Sequence, residues 1–530
     1  MSGVTTTGPG GRDLGDEAVA TVFADVLDHP THAPDLSLLA AGGTSLHAIR
    51  IAQRLSRLTG VTVPVVTVLR HPSPTSLAQA LAREAPGAPQ PPVPTQPIVP
   101  GTVERWPLPS PQRRIWALHE RDPQRLDHLV TVSLELGGRA FPLPPQALID
   151  VWAAIVDRHP TMRMRVCDAH ELTAVADGVG AGLQFLDTAA LPDFLADDIV
   201  AEEIGRIRRQ PFDLRAGPVA RGLLVRRRDG TLTLDLVIHH IACDGWSLRV
   251  LLDELFESAS SIAYGSPNPR SAPNVRYTDF AAWEEQANTR WPDHLRRSEG
   301  DLLPVPDRLV LPHVSDPEPR EATEVALGKD RSWAARLQAA FAAHAYSPLV
   351  IGLVAVAVTL NRTSGQDAFY LAVPVANRPP GFEAVVGDFV NTSIVRIDLG
   401  GTNDVQDVLD RAAAQVARVY EIQDLPFEQL TSHLRRHAPT PDAVLPRVAL
   451  TVQNFERQRG VYADGQLTVT WNEVAERESK YDVVVTMDTV ELDQALLVTC
   501  DPRLINTGAA TALLRRIDQA IDLVLLHLGM

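Results

Sequence analysis

The chain has 530 residues, enough for three or four folding units at roughly 150 residues each. Its 49 Lys and Arg residues against 65 Asp and Glu residues give a net charge of −16, so we expect no nucleic-acid partner. The three cysteines are widely spaced without a CxxC pair, which argues against a disulfide framework and a thiolate zinc site. No secretory signal opens the chain, and its longest apolar run, residues 349–360, spans 12 positions, too few to cross a bilayer. We therefore expect a cytoplasmic protein without membrane association.

Composition divides the chain into a small block and a large one. Residues 1–11 are polar and glycine-rich and predict a flexible leader, and residues 12–85 predict a small helical domain. Residues 86–104 are a predicted linker, in which seven of the 15 positions from 86 to 100 are proline. Such a segment favours extended polyproline II structure. The rest of the chain is long enough for two lobes, which we assign to residues 105–288 and 289–530.

Apolar spacing predicts the secondary structure of both blocks. Helical spacing dominates the small block, whereas helices in the large block mix with strands that alternate in polarity. The expected helices are 16–27, 45–58 and 74–82 in the small block and 145–157, 248–263 and 349–360 in the large block. The expected strands include residues 129–136 and 232–240. This mixture is typical of an α/β or α+β protein.

A pair of glycines and a hydroxyl residue mark the start of the second predicted helix. Gly42 and Gly43 permit a tight backbone just before Ser45. The free N–H groups and the positive dipole end of a helix N-terminus favour a phosphate at that place. Taken alone, however, a Gly-Gly-x-Ser sequence is more typical of a simple helix cap.

The residues around Ser45 resemble those of the acyl and peptidyl carrier proteins. The similarity covers residues 38–50, with their Gly-Gly-x-Ser-Leu motif, and residues 71–78, which are similar to the family's closing P-T-x-x-x-L-A helix. Leu38 and Leu39 stand where peptidyl carriers usually have an aromatic pair. The resemblance implies a peptidyl carrier domain, a small all-α four-helix bundle. Its Ser45 would hold a covalent 4′-phosphopantetheine cofactor, attached by a phosphopantetheinyl transferase.

The main chemical signal of the large block is a pair of histidines followed by an aspartate and a glycine, within residues 232–247. If the strand persists to its end, period-two alternation places His240 on the apolar interior face and His239 on the other face. A buried imidazole needs a polar partner or a function, and a place in a reaction tunnel would provide one. A bare pair of histidines also fits a structural role. A metal site fits less well, because neither an HExxH spacing nor a third ligand accompanies the pair.

The whole segment resembles the HHxxxDG motif of the condensation domains of nonribosomal peptide synthetases, which are relatives of chloramphenicol acetyltransferase. Further similar segments follow in family order: residues 109–116, 158–163, 211–221, 277–283, 373–378, 387–392 and 423–428. Pro160 replaces the glutamate that is usual in the second of them. Cys243 lies at a variable position of the motif, and we interpret it as a packed residue and not as a nucleophile. The resemblance implies a two-lobed, V-shaped α/β condensation domain with His240 facing the cleft.

The resemblance also implies roles for the residues of the motif. His240 is the candidate general base or hydrogen-bonding positioner, and both roles stay open. Asp244 is expected to be structural and to pair with Arg378, because a buried charge needs compensation. Gly245 has no side chain, so its backbone N–H is expected to approach the reacting carbonyl. His239 is expected to support the loop around the site.

The activity implied by the family is peptide-bond formation in nonribosomal peptide synthesis. The amine of an acceptor aminoacyl thioester attacks a donor acyl or peptidyl thioester, and each thioester is bound to a carrier. Because the carrier domain lies upstream, we expect it to hold the donor. No adenylation block is visible, so the expected partners include an adenylation domain and a downstream carrier.

Two alternatives remain beside this interpretation. An epimerisation domain also follows a carrier and also contains HHxxxDG, but residues 244–248, residues 277–283 and the lack of an E-G-H-G-R stretch argue against it. A heterocyclisation domain is disfavoured because it has D-x-x-x-x-D in place of the histidines. The other alternative is a catalytically silent gate or recruitment module, against which the intact His240 and Asp244 argue.

Overall fold

A computed structural model gives the architecture of the chain. The residues it describes are 15–27, 33–38, 41, 43, 45–59, 63, 67–68, 71–83, 104–137, 144–168, 172–177, 180–264, 275–311, 322–402, 404–453, 460–462, 467–472 and 478–530. The leader predicted over residues 1–11 lies outside them. So does the predicted proline-rich linker, apart from residue 104.

The small domain is helical, as its apolar spacing predicts. Its helices are α1 (Asp16–Val26), α2 (Ser45–Thr59) and α3 (Pro74–Arg83). Residues three, four and seven apart lie on one face of a helix, and Ala48, Ile51, Ala52 and Leu55 of α2 are accordingly buried together. Leu38 packs into the same cluster. The three helices end within one residue of their predicted ends, whereas the four-helix detail stays a prediction.

The amino-terminal lobe has a six-stranded sheet covered by helices. Its elements are β1 (Arg105–Pro107), α4 (Ser110–Arg121), β2 (Leu129–Gly137), α5 (Pro145–Arg158), β3 (Arg165–Asp168), β4 (Thr173–Val175), β5 (Leu183–Asp187), α6 (Asp193–Arg209), β6 (Ala220–Arg226), β7 (Leu232–His239), α7 (Gly245–Tyr264) and α8 (Tyr277–Ala287). Strand β7 lies between β2 and β6 and pairs antiparallel with both. Since both of its faces are covered, β7 is apolar along most of its length. Strands β1, β4 and β3 form a separate small sheet.

The carboxy-terminal lobe repeats this layered plan around a second core. Its elements are α9 (Trp291–Leu302), β8 (Thr323–Leu327), α10 (Arg331–His344), α11 (Pro348–Ser364), β9 (Ala368–Val375), β10 (Asn391–Asp398), α12 (Val405–Glu421), α13 (Phe427–Arg435), β11 (Val448–Gln453), β12 (Gly460–Tyr462), β13 (Leu467–Asn472), β14 (Val483–Asp488), β15 (Leu496–Cys500) and α14 (Thr507–His527). The sheet order is β10-β9-β11-β14-β15-β8. Helix α11 is buried along its length and packs against α14 and α12.

Helix α11 begins one residue before its predicted start and continues four residues past its predicted end at residue 360. The Ser347 hydroxyl accepts a hydrogen bond from Val350 N at 3.3 Å, which caps the helix start. Gly365 ends the helix with φ of 73°, a conformation that glycine adopts without strain. No single helix in the described ranges is long and apolar enough to cross a membrane. Helices α10 and α11 have the length and the apolar composition of a membrane span only when they are taken together, and the chain bends by 105° between them.

Two strands cross from one lobe to the other. Strands β12 and β13 follow β11 in the chain, yet β13 pairs antiparallel with β2 and extends the amino-terminal sheet to the order β12-β13-β2-β7-β6-β5. Trp471 of β13 is the cross-strand partner of Leu134. If the two lobes are divided at residue 288, strands β12 and β13 of the carboxy-terminal range therefore belong to the sheet of the amino-terminal lobe.

Candidate functional site

A cavity of about 1460 Å³ lies between the two lobes. Its walls come from α4, β2 and the start of α7 on one side and from β9, β11, β14 and α13 on the other. His240, Asp244 and Gly245 all line it. We refer to this space as the central cavity, and three residues singled out from the sequence meet there.

His240 faces the central cavity and not the apolar interior of the lobe. The prediction that the strand persists to His240 is wrong, because β7 ends at His239 and His240 opens a 3₁₀ turn, His240–Ala242. The turn is closed by a hydrogen bond from Cys243 N to His240 O of 3.2 Å. The His240 side chain is 15% exposed, and its Nδ1 lies 3.4 Å from Asp388 Oδ1. The alternation of the strand therefore does not extend to His240.

His239 is buried behind the site. Its ring packs edge-on against His119 and Phe212, and its Nδ1 accepts a hydrogen bond from Ile241 N at 3.2 Å. Burial, followed by the neighbouring imidazoles, lowers the pKa of His239 well below its ordinary value. A neutral imidazole that accepts from the turn holds the backbone which carries His240.

Asp244 is the centre of a buried network that joins the two lobes. Arg378 Nη2 donates to Asp244 Oδ1 at 2.9 Å and to Oδ2 at 3.1 Å, and Ser247 N donates to Oδ1 at 2.7 Å. Phe389 N donates to Oδ2 at 3.1 Å. Arg378 also donates to Ser247 Oγ at 2.8 Å. Burial lowers the pKa of Arg378, and the charge of Asp244 opposes that shift. The sequence placed Asp244 with Arg378, and the two side chains are in contact.

The two small residues of the motif have different surroundings. Gly245 begins helix α7 at the cavity wall, and a Cβ built there would meet nothing within 4 Å. Its place therefore leaves free space beside the cavity. Cys243 is fully buried, and burial raises the pKa of its thiol well above the ordinary value. An inaccessible thiol that stays protonated is no nucleophile.

Several polar residues of the cavity were not found from the sequence. They are Arg114 on α4, Asp127 and His128 at the start of β2, and Asp388. Arg114 and Asp388 fall within segments compared with the family, but no chemical feature of those segments marked them. His128 is opposite His240 only through the pairing of β2 with β7, which one sequence does not reveal.

One group of metal-ligating side chains lies outside this cavity lining. Ligand atoms of Glu299, His433 and His437 lie within 4.8 Å of one another. His433 Nε2 is 2.8 Å from Glu299 Oε1, and its Nδ1 faces Arg436. Both ring nitrogens of His433 therefore already have protein partners, and we assign no metal to the group.

The start of helix α2 suits a phosphopantetheine arm. The helix begins at Ser45, so its free N–H groups lie beside the predicted attachment position. Gly43 N donates to Leu38 O at 2.7 Å. A Cβ at Gly43 would come within 2.4 Å of Leu38 Cδ1. This close packing requires glycine and holds the turn that presents Ser45.

The small domain contacts the amino-terminal lobe and shares a cavity with the carboxy-terminal lobe. The Arg50 guanidinium lies 5.4 Å from the ring centre of Trp246, and burial lowers the pKa of Arg50, as does neighbouring Arg249. Gly43 lines a smaller cavity of about 110 Å³ with residues of the carboxy-terminal lobe. Pro374, Tyr420 and Val452 line both cavities.

Comparison with known proteins agrees with this arrangement. Residues 103–501 match the model of the condensation domain. The chain belongs to the condensation-domain family. Residues 17–81 match the phosphopantetheine attachment site, which confirms the predicted order of a carrier domain and a two-lobed α/β condensation domain. This match also implies a covalent 4′-phosphopantetheine.

The relatives of this condensation domain are large synthetases. The chain is 28% identical over 512 residues to a linear gramicidin synthase of Brevibacillus parabrevis, covering 92% of this chain and 6% of that protein. It spans 6% to 10% of the first three curated relatives. The X-domain from teicoplanin biosynthesis has a TM-score of 0.68 at 21% identity, covering 83% of this chain and 98% of that one. The epimerization domain from the third module of a tyrocidine synthetase has a TM-score of 0.66 at 15% identity, covering 81% and 97%. At these identities the two structures show a shared fold alone.

Proposed function

We propose that the chain forms amide bonds in nonribosomal peptide synthesis. A donor acyl or peptidyl group passes from its thioester to the amine of an acceptor aminoacyl thioester. The observation that carries this proposal is the wall that the two cavities share, made by Pro374, Tyr420 and Val452. On one side of it lies Gly43, two positions before Ser45, and on the other lies His240. A donor held at Ser45 is thus beside the cavity that contains the candidate base.

The central cavity provides the positioning that such a reaction requires. A 4′-phosphopantetheine arm on Ser45 supplies the thiol that carries the donor. Walls from both lobes border a space of about 1460 Å³, which admits donor and acceptor together. Holding two reactants in one geometry replaces a bimolecular encounter by an effectively unimolecular step.

His240 is the proposed catalytic residue. The reaction forms a C–N bond, breaks a C–S bond and transfers a proton from nitrogen to sulfur. His240 either takes that proton as a general base or holds the amine by a hydrogen bond, and such a group contributes about 10²- to 10⁴-fold in rate. A hydrogen bond of 2.8 Å from His240 N to His128 O fixes the backbone of the histidine.

The other residues of the motif hold the site together. Asp244 and Arg378 join the start of α7 to the segment before β10, across the lobe boundary. Gly245 leaves space at the cavity wall for the reacting carbonyl. His239 fixes the turn behind His240.

The remaining participants are proposals of the same kind. We propose a carrier domain over residues 12–85, a linker over 86–104 and lobes over 105–288 and 289–530. Loading of Ser45 requires a phosphopantetheinyl transferase. Donor and acceptor amino acids require an adenylation domain, and the acceptor requires a downstream carrier.

Intact-protein mass spectrometry tests the proposal. The protein is incubated with a phosphopantetheinyl transferase and an aminoacyl- or peptidyl-coenzyme A, and the loaded protein then meets an aminoacyl thioester acceptor. We expect loading that Ser45→Ala abolishes, followed by amide formation that His240→Ala slows. Arg50→Ala is expected to weaken transfer within the chain while leaving loading intact, because a cation–π contact contributes about 0.5–2 kcal/mol. Loading without amide for any acceptor would contradict the proposal.

The same experiment separates the two alternatives. An epimerisation domain would invert the stereocentre of the loaded aminoacyl group when no acceptor is present, which chiral analysis of the released amino acid detects. A gate or recruitment module would show carrier docking with neither inversion nor transfer. The place of His240 at the cavity wall favours an enzyme over a gate or recruitment module, and residues 244–248 and 277–283 favour amide formation over epimerisation.

A further inference from the structure

A second histidine lies at the wall of the central cavity, paired with a buried carboxylate. His128 Nδ1 is 2.7 Å from Asp127 Oδ1. The side chain of Asp127 is completely buried, and that of His128 is 12% exposed. Arg125 Nε donates to Asp127 Oδ1 at 3.0 Å, and its Nη2 also contacts the carboxylate. None of the sequence motifs includes this pair.

The contacts determine which nitrogen of His128 carries its proton. Burial by itself would raise the pKa of Asp127, but hydrogen bonds from His128 and Arg125 outweigh it and hold that pKa well below its usual range. An ionised carboxylate can only accept, so His128 Nδ1–H donates to it. Burial lowers the pKa of His128, although Asp127 opposes that shift. The neutral imidazole therefore has its free lone pair on Nε2.

Strand pairing places His128 beside His240. His239 is the cross-strand partner of Leu129, so His240 is opposite His128, and His240 N donates to His128 O at 2.8 Å. This backbone hydrogen bond and the electrostatic effect of His240 on His128 show that the two residues are neighbours. Both residues line the central cavity. Two imidazoles thus border one reaction space.

Amide formation from an ammonium group has to dispose of two protons. An α-amine with a pKa of about 8 is mostly protonated at neutral pH. The balanced reaction is ammonium plus thioester giving amide, thiol and one free proton: the nitrogen loses one proton before attack and one during it, and only one returns, to the sulfur. We propose that His128 is a second catalytic residue, which accepts at Nε2 the proton that the acceptor ammonium loses before attack. This inference rests on the proposed amide-forming function.

The charged and titratable groups around His128 come from three segments. They are Arg125 and Asp127 before β2, His239 and His240 at the end of β7, and Glu478 and Lys480 before β14. Lys480 and His240 add to the effect of burial and lower the pKa of His128, whereas Asp127 raises it. They keep His128 neutral before it takes up a proton.

The test compares two acceptors that differ in the charge of the nucleophile. Single-turnover transfer from the loaded protein is measured from pH 6.5 to 9, with hydrolysis subtracted. One acceptor is an aminoacyl thioester, and the other is its aminooxy analogue, whose nitrogen is neutral at pH 7. For His128→Asn we expect a loss of about 10²-fold with the amine at pH 6.5, shrinking to within about threefold at pH 9. With the aminooxy acceptor we expect a loss within about threefold at every pH.

Control variants keep the result interpretable. His527→Asn removes an exposed histidine at the end of α14, one that is not among the lining residues of the cavity, and is expected to transfer at the rate of the unchanged protein. Asp127→Asn is expected to give the same dependence on pH and acceptor with a smaller loss, and it serves if His128→Asn fails to fold. A loss that is equal for both acceptors and at all pH values would assign the pair a structural role and overturn the proposal, as would no loss. If the unchanged protein forms no amide, the proposed function itself fails and this inference falls with it.

Discussion

The segment from His239 to Ser247 has two regions with opposite surroundings. Asp244, Ser247 and Arg378 are buried, and their hydrogen bonds span both lobes. His240 borders the central cavity, and its Nδ1 lies 3.4 Å from the carboxylate of Asp388. The motif thus combines a rigid part that holds the lobes together with a part that stays accessible to substrate.

The difference shows how a single motif serves two purposes. A buried ion pair loses hydration, and this loss is offset only when additional hydrogen bonds satisfy the charges, as Ser247 N and Phe389 N do for Asp244. Such a network contributes precise position more than stability. An accessible imidazole keeps a lone pair or a proton available for the reaction, but it makes fewer packing contacts with the rest of the protein.

Removal of the buried cation is expected to have the largest effect on stability. Arg378→Ala should lower the free energy of unfolding by about 3–5 kcal/mol, because Asp244 would remain buried without its counter-ion. Urea unfolding measures the loss. The control is Arg296→Ala, whose ion pair with Asp293 is mostly exposed, and which should lose less than about 1 kcal/mol. Equal losses of unfolding free energy in the two variants would contradict the structural role that we assign to Asp244 and Arg378.

Removal of the accessible histidine is expected to act on rate instead. His240→Ala should slow single-turnover amide formation by about 10²- to 10⁴-fold. Its free energy of unfolding should change by less than about 1 kcal/mol, because the side chain faces the cavity. A large loss of stability with little loss of rate would reverse the roles we assign to His240 and Asp244.

The buried histidine His239 should make the stability of the protein depend on pH. Because the pKa of His239 is well below the ordinary value of 6.5, the unfolded chain takes up a proton below pH 6.5 that the folded protein does not. The free energy of unfolding should therefore fall as pH falls, by up to about 1.4 kcal/mol per pH unit for each such imidazole. His239→Asn should reduce the slope measured by urea unfolding from pH 7 to 5.5 by about one proton. An unchanged slope would mean that His239 takes up a proton in the folded state.

The smallest effect on stability is expected at Gly245. Gly245→Ala meets no atom within 4 Å and should stabilise helix α7 slightly, by less than about 1 kcal/mol. If the reacting carbonyl uses the space beside Gly245, the same variant slows transfer while binding of the carrier is unchanged. Thermal unfolding and single-turnover rates measure the two effects, and an unchanged rate would show that this space is not needed.

The sequence predicted those features that are determined by residues close together in the chain. Helix α2 follows from apolar spacing, α11 follows from a continuous apolar run, and the histidine pair lies within one short segment. The turn at His240 was missed because a strand that is buried on both faces shows no alternation that would mark its end. His128 and Asp127 were missed because they join the site only through the register of β2 against β7, which is a contact between residues distant in the chain.

The exchange of β12 and β13 has a consequence for engineering chimeric synthetases. In a chimera with its crossover near residue 289, β2 would come from one parent and β13 from the other. The two strands would have to pair in one sheet although their side chains come from different proteins. Leu134 and Trp471 would then come from different parents. If residues 460–472 are transplanted together with the amino-terminal half, β2 and β13 again come from the same parent. The unit of recombination in this domain is therefore discontinuous in sequence.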